Sequence, residues 1–309
     1  MGGLRLTFGA LERLAPGPGA VLAERMWCTV PRGRVSPADP PGERFTVPVH
    51  GRAVVAEAWG EGPAVYLMHG WGGWRGQFNA FIAPLVAAGH RVIAFDAPSH
   101  GDSAPGGYGP GRGLLTEFVD ALTAVMQAGG PAYAVVGHSL GGAATAIAAL
   151  DGVPAERLVL IAPMGDPIAY TADFAHALNF GERIHTRFLR RLERRVGRRM
   201  AEFDIPARAT ERQDLPSLLV VHDRLDKEVR HTDGEALAAA WPRAELMLTE
   251  GHGHRRILRD PTIVDRVVQY LTDNGGIAVI RAGDGAAVGS MSRETREVVP
   301  SPQAVPTGG

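Results

Sequence analysis

Residues 132–150 read Ala-Tyr-Ala-Val-Val-Gly-His-Ser-Leu-Gly-Gly-Ala-Ala-Thr-Ala-Ile-Ala-Ala-Leu. The first five residues are a short apolar run typical of a buried strand, and the last ten are typical of a packed helix. The turn Gly-His-Ser-Leu-Gly joins them, with Ser139 at its centre. A sharp strand-to-helix turn of this kind exposes a serine hydroxyl at the end of a sheet. Ser139 is therefore the candidate nucleophile.

Short apolar runs alternate with helix-length segments on both sides of this turn. Such alternation predicts an α/β fold with a mostly parallel central sheet and helices on both faces. The runs at Arg44–Val49 and Val54–Ala58 are so close that they predict an antiparallel hairpin at the leading edge. The other predicted strands are Ala64–Met68, Arg91–Phe95, Ala132–Val136, Arg157–Ala162, Ser217–Val221 and Glu245–Leu248, and the predicted helices are Phe78–Ala88, Leu114–Gln127, Gly141–Leu150 and Asp233–Trp241.

One connection is far longer than a normal crossover. Residues 165–215 contain no predicted strand, and we expect them to form a small helical cap over the sheet. Within them, 182–203 is predicted to be one amphipathic helix with an apolar face and an arginine face. The apolar face consists of Leu189, Leu192, Val196 and Met200. The arginines could attract an anionic substrate, but a solvated helix face is the favoured interpretation.

The ends of the chain and its composition limit the domain bounds, the partners and the location that we expect. We predict one domain over residues 1–274 that contains the cap, followed by a disordered tail over 275–309 that is rich in Gly, Pro, Ser and Thr. The net charge is −1, so no strong field attracts nucleic acid or an anionic membrane. No run of eighteen apolar residues predicts a membrane span. Charged residues interrupt the N-terminal region, so no export signal is predicted and a cytoplasmic location is expected.

Cysteine usage narrows the chemistry of the site. Cys28 is the single cysteine, so the chain cannot form an intramolecular disulfide or a metal site based on several cysteines.

His69, His100 and Asp102 lie in turns near one edge of the predicted sheet. Their spacing does not demand a metal ion, and a structural role is favoured. The glycine-rich segment 70–76 lacks the lysine and the spacing of a phosphate-binding loop. We therefore expect no metal ion and no cofactor.

Two further motifs follow predicted strands. His69-Gly70-Trp71-Gly72-Gly73 follows Ala64–Met68, and Asp96-Ala97-Pro98-Ser99-His100-Gly101-Asp102-Ser103 follows the next strand. Together with the Ser139 turn, and in the same order and spacing, they resemble motifs of the α/β-hydrolase superfamily over roughly residues 47–271. The resemblance implies the α/β-hydrolase fold and a catalytic serine with its acid and base.

The resemblance also assigns the acid and the base. A serine hydroxyl needs an imidazole to take its proton, and the imidazole needs a carboxylate to orient it. His222-Asp223-Arg224-Leu225-Asp226 is similar to the turn that carries the acid in this family, which assigns Asp226. Gly251-His252-Gly253-His254 is similar to the loop that carries the base, which assigns His254. The family order of serine, acid and histidine is kept.

Each assignment has an alternative. Asp223 stands where the family usually has glycine, and Asp166 follows a strand on which some relatives carry the acid. His252, two residues from His254, is the alternative base. His138, His222 and His252 are interpreted as neighbouring polar residues rather than as the base.

The backbone amides of Trp71 and Leu140 are the expected oxyanion hole, which would bind the negative oxygen of a tetrahedral intermediate. Because that role uses the backbone, the indole of Trp71 either lines a substrate pocket or packs in the core.

These residues predict a serine hydrolase that cleaves an ester or a related acyl bond of a small molecule. Serine at position 139 argues against haloalkane dehalogenases and epoxide hydrolases, which carry aspartate there. Cleavage of C–C bonds or thioesters and perhydrolysis are alternatives on the same site. A ligand-binding protein that keeps the fold without catalysis is the alternative from another class. Substrate and oligomeric state stay open.

Overall fold

The predicted strands form one sheet in the computed structural model of the protein, which describes residues 2–31 and 40–273. The predicted tail at 275–309 lies outside the described residues. The sheet order is β1-β2-β4-β3-β5-β6-β7-β8, and all neighbours from β4 to β8 are parallel. The strands are β1 Glu43–Val49, β2 Arg52–Trp59, β3 Ala64–Met68, β4 Arg91–Phe95, β5 Ala132–His138, β6 Ala155–Ile161, β7 Ser217–Asp223 and β8 Ala244–Thr249.

The leading edge of the sheet is antiparallel, as predicted. Val49 pairs with Arg52, so a two-residue turn of His50 and Gly51 closes the hairpin of β1 and β2. Both turn residues have positive φ, 48° and 73°, which is the conformation that hairpin turns of this length require. Strand β2 then pairs antiparallel with β4.

Helices cover both faces of the sheet. One face packs against α4, α5, α8 and α9, and the other against α3 and α11. The small residues of α5 are all buried, because this helix lies close against the strands around it. The helices are α1 Gly2–Leu14, α2 Pro16–Trp27, α3 Asn79–Ala87, α4 Leu115–Gly129, α5 Leu140–Leu150, α6 Ala169–Leu178, α7 Glu182–Val196, α8 Ile205–Thr210, α9 His231–Ala240, α10 Gly253–Arg256 and α11 Pro261–Thr272. No described helix is long and apolar enough to cross a membrane.

A third apolar core lies apart from the sheet. It joins the two N-terminal helices, α1 and α2, to α6 and α7 of the long connection. Phe8, Phe180, Ile184 and Phe188 are buried at its centre. Each such side chain contributes about 1.5–3 kcal/mol when it is fully buried. The cap predicted from residues 165–215 is therefore completed by residues from the other end of the chain.

One detail differs from the sequence predictions. The helix expected over 182–203 ends at Val196, because Gly197 adopts a left-handed conformation with φ 70° that terminates the helix. A separate 3-10 turn, Met200–Phe203, follows. The glycine- and proline-rich segment at 16–19 begins α2. Proline is well tolerated in the first turn of a helix, since its missing N–H has no partner there anyway.

Candidate active site

Ser139 lies between β5 and α5 at the carboxyl end of the sheet. Its backbone has φ 55° and ψ −122°, a conformation that costs a non-glycine residue of order 1–3 kcal/mol. The surrounding chain holds this turn in place: the Ser139 amide donates to the Ile161 carbonyl at 3.0 Å, and the Ser139 carbonyl accepts from the Ala143 amide at 3.1 Å. Strain held at one serine after a strand matches the turn expected from the sequence.

The glycines that flank Ser139 are required by close approach. A Cβ on Gly141 would lie 2.2 Å from the carbonyl oxygen of His69, and one on Gly137 would lie 2.6 Å from Oγ1 of Thr145. Both distances are far below van der Waals contact. A side chain at either position would therefore push α5 or the loop after β3 away from the serine.

The loop after β3 brings Trp71 to the serine. A Cβ on Gly70 would come within 2.9 Å of the Ser139 Cβ, so the backbone beside Trp71 lies directly against the serine. Leu140 begins α5, and the first amides of a helix have no partner within it. The two amides predicted to form an oxyanion hole thus belong to segments that flank Ser139.

The His69 ring is part of the support for this loop. Its Nε2 accepts from the Ala97 amide at 3.0 Å, so its proton is on Nδ1, which donates to the Gly70 carbonyl at 2.7 Å. Burial lowers the pKa of His69 to about 4, which keeps the ring neutral. His100 is also buried, and its Nδ1 lies 2.9 Å from the Pro98 carbonyl. No group of three His, Cys, Asp or Glu side chains within residues 2–31 and 40–273 is arranged to hold a metal ion.

A buried arginine fastens the loops after β3 and β4 together. Arg75 donates from Nε to Glu57 at 2.8 Å, from one Nη to Asp96, and from the other to Asp102 at 3.0 Å. Its backbone amide also donates to Asp96, at 2.7 Å. Arg75, Glu57 and Asp96 are each at most 4% exposed, and each of the three guanidinium nitrogens donates to one of the three carboxylates. This cluster gives Asp102 a structural role, as the sequence analysis favoured.

The predicted acid and base meet. Nδ1 of His254 lies 2.8 Å from Oδ2 of Asp226, whose side chain is fully buried. A carboxylate only accepts, so the proton is on Nδ1 and the lone pair of the ring is on Nε2. Burial acts to raise the pKa of Asp226, but hydrogen bonds from His222, His254 and the Val229 amide outweigh it, and the pKa lies well below its ordinary value.

The alternative acids are engaged elsewhere. Oδ2 of Asp223 accepts from Thr249 Oγ1 and from the His252 amide, each at 2.9 Å, so this carboxylate shapes the loop that carries His254. Asp166 accepts from the amides at the start of α6. The alternative base, His252, has its Nδ1 3.4 Å from Asp260. The geometry thus favours Asp226 over the other two aspartates.

His138, the residue before the serine, has a role that the motif alone does not reveal. Its Nε2 donates to the backbone carbonyl of His254 at 2.8 Å, and the two rings lie 4.6 Å apart between centroids. Burial and the neighbouring His254 lower the pKa of His138 to about 3, so it donates as a neutral ring. The turn that carries Ser139 is thereby tied directly to the loop that carries His254.

A cavity of about 220 Å³ lies beside this site. Its floor is formed by Trp71, Leu140 and Met164; the Met164 amide lies 3.5 Å from the Ser139 carbonyl. Its roof includes Trp27 of α2 and Val196 of α7. Trp71 therefore lines a pocket, and it also stacks on Phe118 at a centroid distance of 6.1 Å. Trp27 was not among the residues that the sequence suggested.

Part of the predicted arginine face is engaged in ion pairs. Arg191 and Arg195 both contact Glu24 of α2, and Arg198 pairs with Asp151 at 2.7 Å. Glu24 is buried, and it also accepts from the Tyr108 hydroxyl at 2.6 Å. The face expected to be solvated thus partly fastens the N-terminal helices to α7.

Curated proteins are similar to parts of this chain. A dihydrolipoyllysine-residue acetyltransferase component of an acetoin cleaving system from Cupriavidus necator is 31% identical over 153 residues, which are 47% of this chain and 38% of that protein. A 2-hydroxy-6-oxo-6-phenylhexa-2,4-dienoate hydrolase from Burkholderia cepacia is 39% identical over 97 residues, 30% of this chain and 33% of that one. The chain thus spans little more than a third of the length of these curated relatives.

The fold has a close counterpart among solved structures. An esterase from Exiguobacterium antarcticum superposes with a TM-score of 0.56 at 16% identity, over 75% of this chain and 100% of that one. A model of the alpha/beta hydrolase family matches residues 65–267, which is more than half of the chain. This protein belongs to the alpha/beta hydrolase family.

Proposed function

We propose that the protein is a serine hydrolase of the carboxylesterase type, with Ser139 as nucleophile, His254 as base and Asp226 as the acid that orients it. The observation that carries the proposal is the 2.8 Å contact between His254 Nδ1 and the buried Asp226 carboxylate. A carboxylate held ionised behind Nδ1 fixes the tautomer that leaves Nε2 as the base.

The reaction follows from these roles. Nε2 of His254 takes the hydroxyl proton of Ser139 as the oxygen attacks the ester carbonyl, and the amides of Trp71 and Leu140 bind the resulting oxyanion. His254 then donates the proton to the leaving alcohol as the C–O bond breaks. Water, deprotonated by the same nitrogen, attacks the acyl-enzyme and releases the acid and the free serine.

A fluorophosphonate probe tests the proposal, because it reacts covalently with activated serines. We expect wild type to be labelled at Ser139 and the Ser139→Ala variant to be unlabelled. Hydrolysis of 4-nitrophenyl acetate by that variant should fall by roughly 10⁶-fold, as it does when a comparable serine is removed. Ser217→Ala is the matched control, since Ser217 begins β7 at the opposite end of the sheet. Folded wild type that is neither labelled nor active would favour a ligand-binding protein.

A further inference from the structure

The cavity beside Ser139 is lined mainly by apolar side chains. Its floor residues are Trp71, Leu140 and Met164, and its roof residues are Trp27, Val196 and Met200. None of the residues that line it within 2–31 and 40–273 carries a charge. An ionised group placed here would lose its hydration without gaining a partner, which is strongly unfavourable. The cavity therefore suits an uncharged hydrocarbon group.

Trp27 is held rigidly over the cavity. Its ring packs edge-on against Phe174 of α6 at 5.3 Å and against Phe188 of α7 at 6.0 Å. The helix that carries it is fastened to α7 through buried Glu24. The family match begins at residue 65, so this part of the roof comes from outside the matched region.

The remaining roof residues come from one face of α7 and the turn after it. Leu192 and Val196 are four residues apart on the helix, so both point the same way, and Met200 follows in the 3-10 turn. The arginines of α7 that pair with Glu24 lie away from this face. A roof of fixed apolar side chains limits how long a chain the cavity accepts.

We propose, on the basis of the proposed function, that the cavity holds a medium-length unbranched hydrocarbon chain attached to the reactive ester, with Trp27, Val196 and Met200 limiting its length. The cavity volume of about 220 Å³ lies below the range of about 300–1,000 Å³ that drug-sized ligands occupy. A chain much longer than the cavity has to extend out of it into water, so we expect long fatty chains to be poorer substrates. Both the acyl group and the alcohol of an ester can carry such a chain. Two substrate series distinguish the acyl chain from the alcohol chain.

Two substrate series test the inference. In one, 4-nitrophenyl esters run from acetate through butyrate, hexanoate and octanoate to dodecanoate; in the other, acetate esters carry alcohols of the same lengths. We expect kcat/KM to rise by about fourfold per methylene up to hexanoate or octanoate in one series and to fall at dodecanoate. A 4-nitrophenyl monoester of adipic acid, which ends in a carboxylate, should be at least tenfold poorer than the hexanoate.

Substitutions of roof residues test where the hydrocarbon chain of the substrate binds. Val196→Trp should lower the ratio of kcat/KM for the octanoate to kcat/KM for the acetate by at least tenfold, since only the longer chain meets the new ring. Trp27→Ala should move the optimum to longer chains. Val21→Ala, on the exposed side of the same helix as Trp27, is the control and should change neither.

The outcomes separate this inference from the proposed function. Wild type that is labelled by the fluorophosphonate probe but prefers acetate, shows no length dependence in either series, or keeps its optimum in both roof variants would overturn the inference alone. Wild type that is neither labelled nor active on any ester would overturn the proposed function.

Discussion

The floor and the roof of the cavity are each fastened by one buried charge, but the two clusters differ. Arg75 anchors the loop that carries Trp71, and two of its carboxylate partners, Glu57 and Asp96, are as buried as Arg75 itself. Glu24 anchors the roof, yet its partners Arg191 and Arg195 are 31% and 45% exposed. Water therefore reaches both arginines of the roof cluster, whereas in the floor cluster it reaches only Asp102, the third partner of Arg75, which is 42% exposed.

This difference indicates that the two clusters have different tasks. The chemistry that we propose depends on atoms placed to within tenths of an ångström. The loop that carries Trp71 beside Ser139 is held by Arg75, whose partners Glu57 and Asp96 are both buried. The roof only has to exclude water and limit the size of the substrate. Changes in the floor should therefore abolish turnover or unfold the protein, whereas changes in the roof should alter selectivity and stability modestly.

The largest effect should come from Asp226, the proposed acid. Asp226→Asn should lower kcat by about 10⁴-fold on any ester, because an amide in place of the carboxylate favours the wrong tautomer of His254. Steady-state kinetics on 4-nitrophenyl acetate measure this. Asp223→Asn is the matched comparison: it disturbs the loop around His252 and should cost far less. If Asp223→Asn were the more damaging change, Asp226 would not be the orienting acid.

The sequence predicted Trp71 and Leu140 of the floor and the apolar face of α7 that forms part of the roof, but it did not predict Met164 or Trp27. The strands β3 and β4 were predicted to the residue, because short apolar runs that end at Gly, Pro or polar residues define buried parallel strands closely. The loops that follow carry recognisable motifs because a turn at the end of a strand admits few residue types. Their support was less visible: nothing in the spacing of Arg75, Glu57 and Asp96 shows that they meet.

The roof depends on contacts between distant parts of the chain. Glu24 and Arg191 are 167 residues apart, and no local pattern connects them. The seven arginines between Arg187 and Arg199 were interpreted as a solvated face. A sequence cannot show that the buried carboxylate of Glu24, on another helix, lies against two of them, Arg191 and Arg195. For the same reason Trp27, which lies near the N-terminus, gave no signal that it lines a pocket. Local periodicity predicts elements, but it does not predict which elements close a cavity.

The next largest effect is the loss of stability when either anchor, Arg75 or Glu24, is replaced. Arg75→Met should lower the free energy of unfolding by about 3–5 kcal/mol, because it leaves two buried carboxylates without their counter-charge. Glu24→Gln should cost about 1–2 kcal/mol, since the arginines it releases are partly hydrated and glutamine still accepts a hydrogen bond. Urea unfolding of both variants at neutral pH measures the difference. Equal losses in the two variants would contradict the contrast between floor and roof.

The smallest effect is the pH dependence of the stabilisation that Glu24, the roof anchor, provides. Burial acts to raise the pKa of Glu24, but hydrogen bonds from Tyr108, Arg191 and Arg195 outweigh it, so the pKa in the folded protein lies below its ordinary value of 4.5. A carboxyl whose pKa is lowered by folding stabilises the folded state above its unfolded pKa, and that stabilisation is lost as the pH falls through the folded pKa.

The stability difference between wild type and Glu24→Gln should therefore be complete at neutral pH and shrink below about pH 4.5. Urea unfolding of both proteins at several pH values measures it, and carboxyls common to both cancel in the comparison. A difference that stays constant or grows on acidification would mean that the ionised carboxylate does not hold the roof. A shrinking difference would instead show that acid loosens α2 from α7 through Glu24.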